Sequence, residues 1–297
     1  MTKDTGENPH PYSKEQVSRI VRYRNVQKAQ YAKGTSDHLE HNENPDLWDC
    51  LFDPFSEGDW SDKKILDFGC GLGRNVQNIL DSYDVGEIHG CDISDKNIAD
   101  CRQRFAAQKD KCFFYVSDGI GIEQDDDDQR QVPSEGKSTG YDAVFSTIVM
   151  QHIAVPEVRK NIFISMYERL NSGGLISIQM GYGTDDQYKN TIIDCRNDLH
   201  MDALFDPKKG KRLHKINAYD HRTMAYDSDR LHVFKIEEGD THEIVNSNGF
   251  SDVRVTSPDQ LKQTLESVGF VDFDYEIRNS FSDINHPHWI YFKAYKP

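Results

Sequence analysis

The segment from Ile65 to Val76, ILDFGCGLGRNV, carries the residues whose spacing points most directly to chemistry. An apolar run around Asp67 ends in three glycines at alternate positions, and a helical pattern follows. A strand that passes through a tight glycine turn into a helix lets a ligand press against bare backbone. A dinucleotide fold places its third glycine where this chain has Arg74, so the G-x-G-x-G spacing predicts a different ligand. The three glycines are Gly69, Gly71 and Gly73.

Two further aspartates follow apparent strands at the same predicted edge of a sheet. Asp92 ends the segment IHGCD, about two dozen residues after the glycines, and Asp118 ends CFFYVSD. A carboxylate in the position of Asp92 can accept two hydroxyl hydrogen bonds from a ribose. Each aspartate alone is compatible with a helix cap. Three acids at the carboxyl ends of successive strands favour a ligand that contains a nucleoside.

The glycine segment resembles motif I of the class I, Rossmann-like S-adenosylmethionine-dependent methyltransferases, with a pattern like that of the type 11 and type 25 domains. The segment YDAVFSTIVMQHI, residues 141–153, is similar to their motif IV, and LNSGGLISIQM, residues 170–180, is similar to the segment before and within strand five. The resemblance covers about residues 60–180 and resumes near 253–297. It implies S-adenosylmethionine as the cofactor and methyl transfer as the activity.

The resemblance also implies a role for individual residues. The glycines would wrap the methionine part of the cofactor, Asp92 would bind the ribose, and Asp118 would bind the exocyclic amine of adenine. Ile93 would pack on the adenine face. The complete implied cofactor-binding set is Asp67, Gly69, Cys70, Gly71, Gly73, Asp92, Ile93, Asp118, Gly119, Ile120 and Ser146.

The catalytic candidates follow from the reaction itself. Methyl transfer is an in-line displacement at a sulfonium carbon, so the enzyme mainly orients a nucleophile and excludes water. Neutral amine and thioether acceptors often need no general base, whereas hydroxyl acceptors usually need one. His152, after the fourth strand, is the candidate base, and the alternative is that it only shapes the cofactor pocket. Gln151 and Tyr182 are candidates for positioning the acceptor. Candidates for cation–π contact with a cationic substrate, with packing as the alternative, are Tyr12, Tyr23 and Tyr31.

The alternation of apolar patterns predicts a doubly wound α/β fold, with a mostly parallel sheet and helices on both faces. The resemblance implies seven strands, one of the last two being antiparallel. The capping pattern at Ser257 and the pattern at Ser94 predict helix starts, and Gly269 predicts a helix end. The predicted strands are Ile65–Phe68, Gly86–Asp92, Cys112–Val116, Asp142–Ser146, Leu175–Met180, Val271–Ile277 and Trp289–Tyr295.

The chain is expected to divide into four regions. An N-terminal helical lid or cap segment spans 1–60, the cofactor-binding core 61–180, an insertion that covers the acceptor 181–251, and the completion of the core sheet 252–297. The first helix is predicted to begin at the capping box Ser13–Gln16 and to end at Gly34. The aromatic stretch from Trp48 to Trp60 either covers the cofactor cleft or caps a sheet edge.

Composition limits the possible partners. The formal net charge of −15, from 50 acidic and 35 basic residues, argues against a broad nucleic-acid surface, because phosphate binding needs clustered Lys and Arg. The polar first residues and the lack of a long apolar run predict no signal peptide and no membrane span. The six scattered cysteines predict reduced thiols in a cytoplasmic protein.

No metal site is expected. The pairs His38 with His41 and His286 with His288 have no third partner at a recognised spacing. The aspartate run in residues 121–140 indicates a surface loop, with a divalent-cation site as the alternative.

The first functional hypothesis is methyl transfer to an oxygen, nitrogen or sulfur atom of a small-molecule acceptor. One alternative is a protein or RNA methyltransferase, against which the net charge and the lack of an N-P-P-Y-like motif after strand four both count. The other is a protein that binds S-adenosylmethionine without catalysis.

Overall fold

A computed structural model describes residues 49–122, 140–153, 155–183, 257–279 and 288–297. It also describes residues 17, 20, 21, 24, 25, 27, 28, 31, 32 and 34, and the strand segments 224–226, 232–236, 241–246 and 249–255. Several predictions fall outside these residues, namely those on the capping box at Ser13, on Tyr12 and Tyr23, on His38, His41 and His286, and on most of the acidic loop and the insertion.

Seven strands form the central sheet. They are β1 (Trp60–Phe68), β2 (Val85–Asp92), β3 (Cys112–Val116), β4 (Tyr141–Ser146), β5 (Leu170–Tyr182), β10 (Val271–Asn279) and β11 (His288–Tyr295). Their order is β3-β2-β1-β4-β5-β11-β10; the first five are parallel, and β11 is antiparallel to both of its neighbours. Asp67 pairs with Gly90 and with Phe145, so the carboxyl ends of β1, β2 and β4 meet at one edge. The predicted doubly wound α/β architecture is confirmed.

Helices cover both faces of this sheet because its parallel strands are apolar on both sides. The helices are α1 (Asp49–Ser56), α2 (Arg74–Ser82), α3 (Asp95–Arg104), α4 (Pro156–Arg169) and α5 (Pro258–Val268). Ile65 and Phe145 belong to the core formed with α1, α2 and α3. Leu66 and Val144, their neighbours along the strands, belong to the core formed with α4 and α5. None of the described helices is long and apolar enough to span a membrane.

Local signals placed the ends of two helices correctly. The Ser94 side chain accepts a hydrogen bond from the Asn97 backbone N–H at the start of α3, and Ser257 accepts one from Gln260 at the start of α5. Gly269 ends α5 with φ 118°, a conformation that favours glycine. These predictions depend on neighbouring residues alone and are confirmed.

The fifth strand begins earlier than predicted. It starts at Leu170, instead of the predicted Leu175, and contains Gly173 and Gly174. The backbone of the two glycines exchanges hydrogen bonds with Lys296, from Gly173 N to Lys296 O (2.8 Å) and from Lys296 N to Gly174 O (2.8 Å). The strand reaches back to Leu170 because Leu170 pairs with Tyr141 of β4, and the two glycines lie in the irregular stretch between that pair and the pair of Ala143 with Leu175.

The insertion contributes four described strands, β6 (Met224–Tyr226), β7 (His232–Ile236), β8 (Thr241–Asn246) and β9 (Gly249–Val255). They form an antiparallel series, and β9 joins the end of β5 through the pair Tyr182 and Val255. The sequence predicted a folded insertion here but not its strands.

The described part of the region before β1 contains two helical stretches. The residues described between 17 and 31 are helical, and Gly34 follows with φ 76° and an N–H bond to the Tyr31 carbonyl (2.9 Å). Helix α1 packs on a face of the sheet, where the ring centroids of Phe52 and Phe145 lie 5.7 Å apart. The described part of the aromatic stretch, from residue 49 onward, therefore covers a sheet face rather than an edge, and its last residue, Trp60, begins β1.

Candidate functional site

Residues 69–73, called the glycine turn below, connect β1 to α2 at the carboxyl edge of the sheet. The N–H groups of Gly69 and Cys70 both donate to the Cys91 carbonyl at the end of β2, at 2.7 and 2.9 Å. Gly69, Gly71 and Gly73 have φ values of 75°, 53° and 76°. Only glycine adopts such angles without strain, so the alternate spacing is what allows the turn to fold over the strand ends.

Asp67 lies beneath this turn and is 1% exposed. Neither of its carboxylate oxygens has a hydrogen-bond partner among the described residues. Burial raises the pKa of Asp67 to about 8, an effect that Arg74 opposes and Asp92 reinforces. A buried acid without donors is costly when ionised, so Asp67 is ready to accept a proton or a cationic donor.

Asp92 fixes the turn to the end of β2. Its Oδ2 accepts a hydrogen bond from Gly71 N at 3.0 Å, and its Oδ1 accepts from Ser94 N at 2.8 Å and Asn97 Nδ2 at 3.3 Å. Burial raises the pKa of Asp92, and the three hydrogen bonds oppose that rise. An ionised carboxylate has about four acceptor positions, so Asp92 keeps capacity for a ligand hydroxyl.

The loop after β3 is organised by Asp118. Its Oδ1 accepts hydrogen bonds from the backbone N–H groups of Ile120 and Gly121 at 2.9 and 2.8 Å. Gly119 has φ 79°, and a Cβ added to it would lie 2.7 Å from Cδ1 of Ile93. The Ile93 side chain is thus packed on bare backbone at this loop. Asn161 of α4, which the sequence did not single out, donates to the Ile120 carbonyl at 2.6 Å.

Residues 147–152, called the β4 loop below, follow β4 and lie against the glycine turn. A Cβ added to Gly69 would come within 2.2 Å of Cγ2 of Val149, so the two segments touch at a glycine. Thr147 Oγ1 accepts a hydrogen bond from Asn75 Nδ2 of α2 at 2.7 Å. The contact holds the β4 loop against the glycine turn, and the hydrogen bond joins the loop to α2.

A cavity of about 150 Å³ opens between these segments. Residues of the N-terminal helical segment, Gln27 and Tyr31, line it together with Arg74, Asn75 and Thr147. The predicted site residues that line it are Gly69, Cys70, Gly71, Asp92, Ile93, Gly119 and His152. The predicted residues that do not line it are Asp67, Gly73, Asp118, Ile120, Ser146, Gln151 and Tyr182.

The three catalytic candidates have different surroundings. His152 lines the cavity, and Gln27 Nε2 approaches its carbonyl at 3.5 Å. Gln151 is buried, and its Oε1 accepts a hydrogen bond from Gln179 Nε2 at 3.0 Å. Tyr182 is buried at the end of β5, and burial raises its pKa. Of these candidates, His152 is the one that lines the cavity.

Ser146 connects the two strands that carry the site. Its hydroxyl donates to the Phe68 carbonyl at 2.8 Å, and the side chain is fully buried. Ser146 therefore joins the ends of β1 and β4, just before the glycine turn and the β4 loop begin. Within the described part of the chain, no group of three or more His, Cys, Asp or Glu side chains is placed to hold a metal ion.

A family model for a methyltransferase domain matches residues 66–176, which extend from β1 to β5. A comparison with curated proteins finds no match. Among solved structures, the chain is similar to the Burkholderia thailandensis 1,6-didemethyltoxoflavin-N1-methyltransferase, solved with 1,6-didemethyltoxoflavin and S-adenosylhomocysteine. The two are 12% identical with a TM-score of 0.51, over 98% of this chain and 93% of the other.

A second similar structure is that of the [4+2]-cyclase SpnF. It is 12% identical with a TM-score of 0.50, over 95% of this chain and 94% of the other. At such identities the likeness shows the fold alone, since related folds carry different reactions.

Proposed function

We propose that the chain is an S-adenosylmethionine-dependent methyltransferase that transfers a methyl group to a small-molecule acceptor, on the ground that residues 66–176 match a methyltransferase-domain model. The observation that carries this proposal is the cavity between the glycine turn and the β4 loop. Gln27 and Tyr31 of the N-terminal segment line it together with the core residues, as expected of a pocket rather than an open groove. The net charge of −15 also counts against a nucleic-acid acceptor.

The donor and acceptor groups of the cavity fit the cofactor. Its methionine part carries an ammonium and a carboxylate group, and its nucleoside part carries hydroxyls and a flat base. Asn75 Oδ1 is buried without a described partner, and we assign it as an acceptor for the ammonium group. Arg74 supplies a cation for the carboxylate, Asp92 an acceptor for the ribose, and Ile93 an apolar surface for the base.

On the acceptor side, we assign His152 and Tyr31 as the groups nearest the incoming nucleophile. The bound cofactor supplies an electrophilic methyl group on a sulfonium sulfur, which already leaves readily. What remains for the protein is to orient the nucleophile and exclude water. For a hydroxyl acceptor His152 would take the proton; for an amine or thioether it would only shape the pocket.

The cysteines support a cytoplasmic setting. The five that the structure describes, Cys50, Cys70, Cys91, Cys101 and Cys112, are all free thiols. Free buried thiols are typical of proteins from a reducing compartment.

Calorimetric titration with S-adenosylmethionine and S-adenosylhomocysteine tests the cofactor part of this proposal. We expect micromolar binding of both, and no binding of either would refute it. A screen of small amines, thioethers, hydroxyl compounds and carboxylates then tests the acceptor. Turnover only with a protein or RNA substrate would overturn the small-molecule assignment, and binding without turnover of any acceptor would favour a non-catalytic role.

The variant His152→Gln separates the two roles of the histidine. If His152 is a base, turnover falls while S-adenosylhomocysteine binding stays within about twofold of the parent, because the base acts only in the transition state. If His152 shapes the cofactor pocket, turnover and S-adenosylhomocysteine binding should both fall.

A further inference from the structure

Ile148 of the β4 loop has φ 57°. A β-branched residue rarely adopts a positive φ, because its side chain crowds the backbone, and the strain is typically about 1 to 3 kcal/mol. The other described non-glycine residue in this region is Asp272, a residue type that tolerates it better. Strain of this kind persists only where the surroundings hold it, and Ile148 lies on the wall of the cavity.

The group that holds Ile148 is the side-chain amide of Gln179 on β5. Its Oε1 accepts a hydrogen bond from Ile148 N at 2.6 Å, and its Nε2 donates to Gln151 Oε1 at 3.0 Å. The orientation of the amide follows from the chemistry, since a backbone N–H can only donate. Gln179 is 0% and Gln151 1% exposed, so water does not replace either bond in the folded protein.

This clamp determines where the cavity wall lies. Residue 149 follows Ile148 directly, and its methyl groups lie on the bare backbone of Gly69. If Ile148 relaxed to a negative φ, the chain direction at Val149 would change and this contact would be lost. Gln179 itself does not line the cavity, so any effect it has on a ligand passes through the β4 loop.

We propose that Gln179 is a positioning residue of the site, which holds Ile148 in the left-handed conformation and thereby shapes the wall against which the cofactor binds. This inference rests on the proposed function, in that the cavity is taken to bind S-adenosylmethionine. It gives a role to a residue that lies within the segment 170–180 but was not singled out in the sequence.

A double-mutant cycle tests the inference with S-adenosylhomocysteine as the probe and calorimetry as the readout. Gln179→Met keeps the length of the side chain and removes both hydrogen bonds. In the parent protein we expect it to weaken binding about tenfold, equivalent to about 1.4 kcal/mol. Combined with Ile148→Gly, which adopts a positive φ freely, Gln179→Met should weaken binding by no more than about twofold relative to Ile148→Gly alone.

A purely structural role would give a different result. Loss of a buried amide would then weaken binding equally in both backgrounds, and that outcome overturns the inference. Ser177→Ala serves as the control, because Ser177 is a fully buried polar residue on the same strand whose hydroxyl bonds to the Leu51 carbonyl instead. It should reduce stability and leave binding unchanged.

Two further measurements keep the test decisive if Gln179→Met does not fold. Gln151→Met leaves in place Gln179 Oε1, the hydrogen-bond acceptor of Ile148 N. It should weaken S-adenosylhomocysteine binding about threefold, and Ile148→Gly should suppress this loss as well. In the parent protein the Ile148 amide should exchange its hydrogen slowly, and exchange at the rate of an open loop would overturn the inference. Absence of S-adenosylhomocysteine binding by the parent protein would instead refute the proposed function and leave the amide-exchange result standing by itself.

Discussion

The glycine turn and the β4 loop line the same cavity, yet they are built in opposite ways. The turn has three residues with positive φ, all glycines, and is held by the Cys91 carbonyl and the Asp92 carboxylate at the end of β2. The β4 loop has its positive φ at Ile148 and depends on the side chains of Asn75 and Gln179. One wall is therefore built on glycines, which adopt a positive φ without strain, while the other contains a strained isoleucine that is held by side chains.

This difference separates two requirements of the site. A cofactor shared by many proteins can be held by backbone and strand-end carboxylates, which tolerate changes elsewhere in the sequence. A wall that depends on a few side chains of other elements can be reshaped by substituting them. We therefore expect changes in the glycine turn to abolish cofactor binding, and changes that support the β4 loop to adjust it.

Gly69→Ala should give the largest effect, because it breaks the contact between the two walls. The added Cβ would lie 2.2 Å from Val149 Cγ2, on a residue with φ 75°. We expect a loss of about 2 to 5 kcal/mol of unfolding free energy and a weakening of S-adenosylhomocysteine binding by about 100-fold. Urea unfolding and calorimetry measure the two.

The control for this variant is Gly58→Ala. Gly58 has φ 86° but no atom within 4 Å of the added Cβ, so it carries the backbone strain without the clash. Gly58→Ala should cost about 1 kcal/mol of unfolding free energy and leave S-adenosylhomocysteine binding unchanged. If Gly69→Ala were no worse than this control, the two walls would not be in contact.

Asp67→Asn tests the buried acid below the glycine turn through its pH dependence. The pKa of Asp67 is raised to about 8 by burial, so the native protein retains a proton that the unfolded chain loses above about pH 4. The stability contributed by this proton is complete below pH 4 and is lost as the pH rises to 8. Asparagine has no such proton, so the variant should gain stability relative to the parent over that range.

Urea unfolding of both proteins without ligand at pH 5, 7 and 8.5 provides the measurement. The difference in unfolding free energy between the variant and the parent should change by at least about 1.4 kcal/mol across this pH range, the equivalent of one pKa unit. Parallel stability curves would show that Asp67 is ionised at neutral pH in the folded protein.

The two walls also differ in how far the sequence predicts them. The glycine turn, Asp92 and the cap at Ser94 all follow from local signals, in which residue type and spacing determine the conformation. The strained Ile148 has no such signal, because its hydrogen-bond partner Gln179 is 31 residues away. Asp67 gives an intermediate case, since the sequence predicts its place but not its burial without a partner.

The same distinction explains the error at β5. Gly173 and Gly174 favour a turn when only neighbouring residues are considered, but the strand continues through them to Leu170, which pairs with Tyr141 of β4. Their backbone also bonds to Lys296 at the end of the chain. Tertiary pairing overrides local preference there. The family resemblance implied that one of the last two strands is antiparallel, and no local pattern indicated that β11 would pair with β5.

Asn75→Ala sharpens the comparison, because Asn75 belongs to the helix that follows the glycine turn and is bonded to the β4 loop. Its Nδ2 supports Thr147, and its Oδ1 is buried without a described partner. If Oδ1 accepts a hydrogen bond from the cofactor ammonium group, the variant should weaken S-adenosylhomocysteine binding about tenfold, typical of a hydrogen bond to a charged group.

Thr147→Val is the matched control, since it removes the hydroxyl partner and leaves Oδ1 in place. It should cost about 1 kcal/mol of stability and change the dissociation constant by less than about threefold. Equal weakening by both variants would mean that Asn75 acts only by supporting the β4 loop.

Ser146→Ala should give the smallest effect, at the point where the two walls separate. The Ser146 hydroxyl is already committed to the Phe68 carbonyl, so its loss should cost about 1 kcal/mol of unfolding free energy. Ser177→Ala, which removes an equally buried hydroxyl on β5, should cost a similar amount. Both variants should bind S-adenosylhomocysteine within about twofold of the parent, because neither hydroxyl lines the cavity. A tenfold loss in Ser146→Ala alone would show that this residue contacts the cofactor, as the family resemblance implied, and that the junction of the walls belongs to the binding surface.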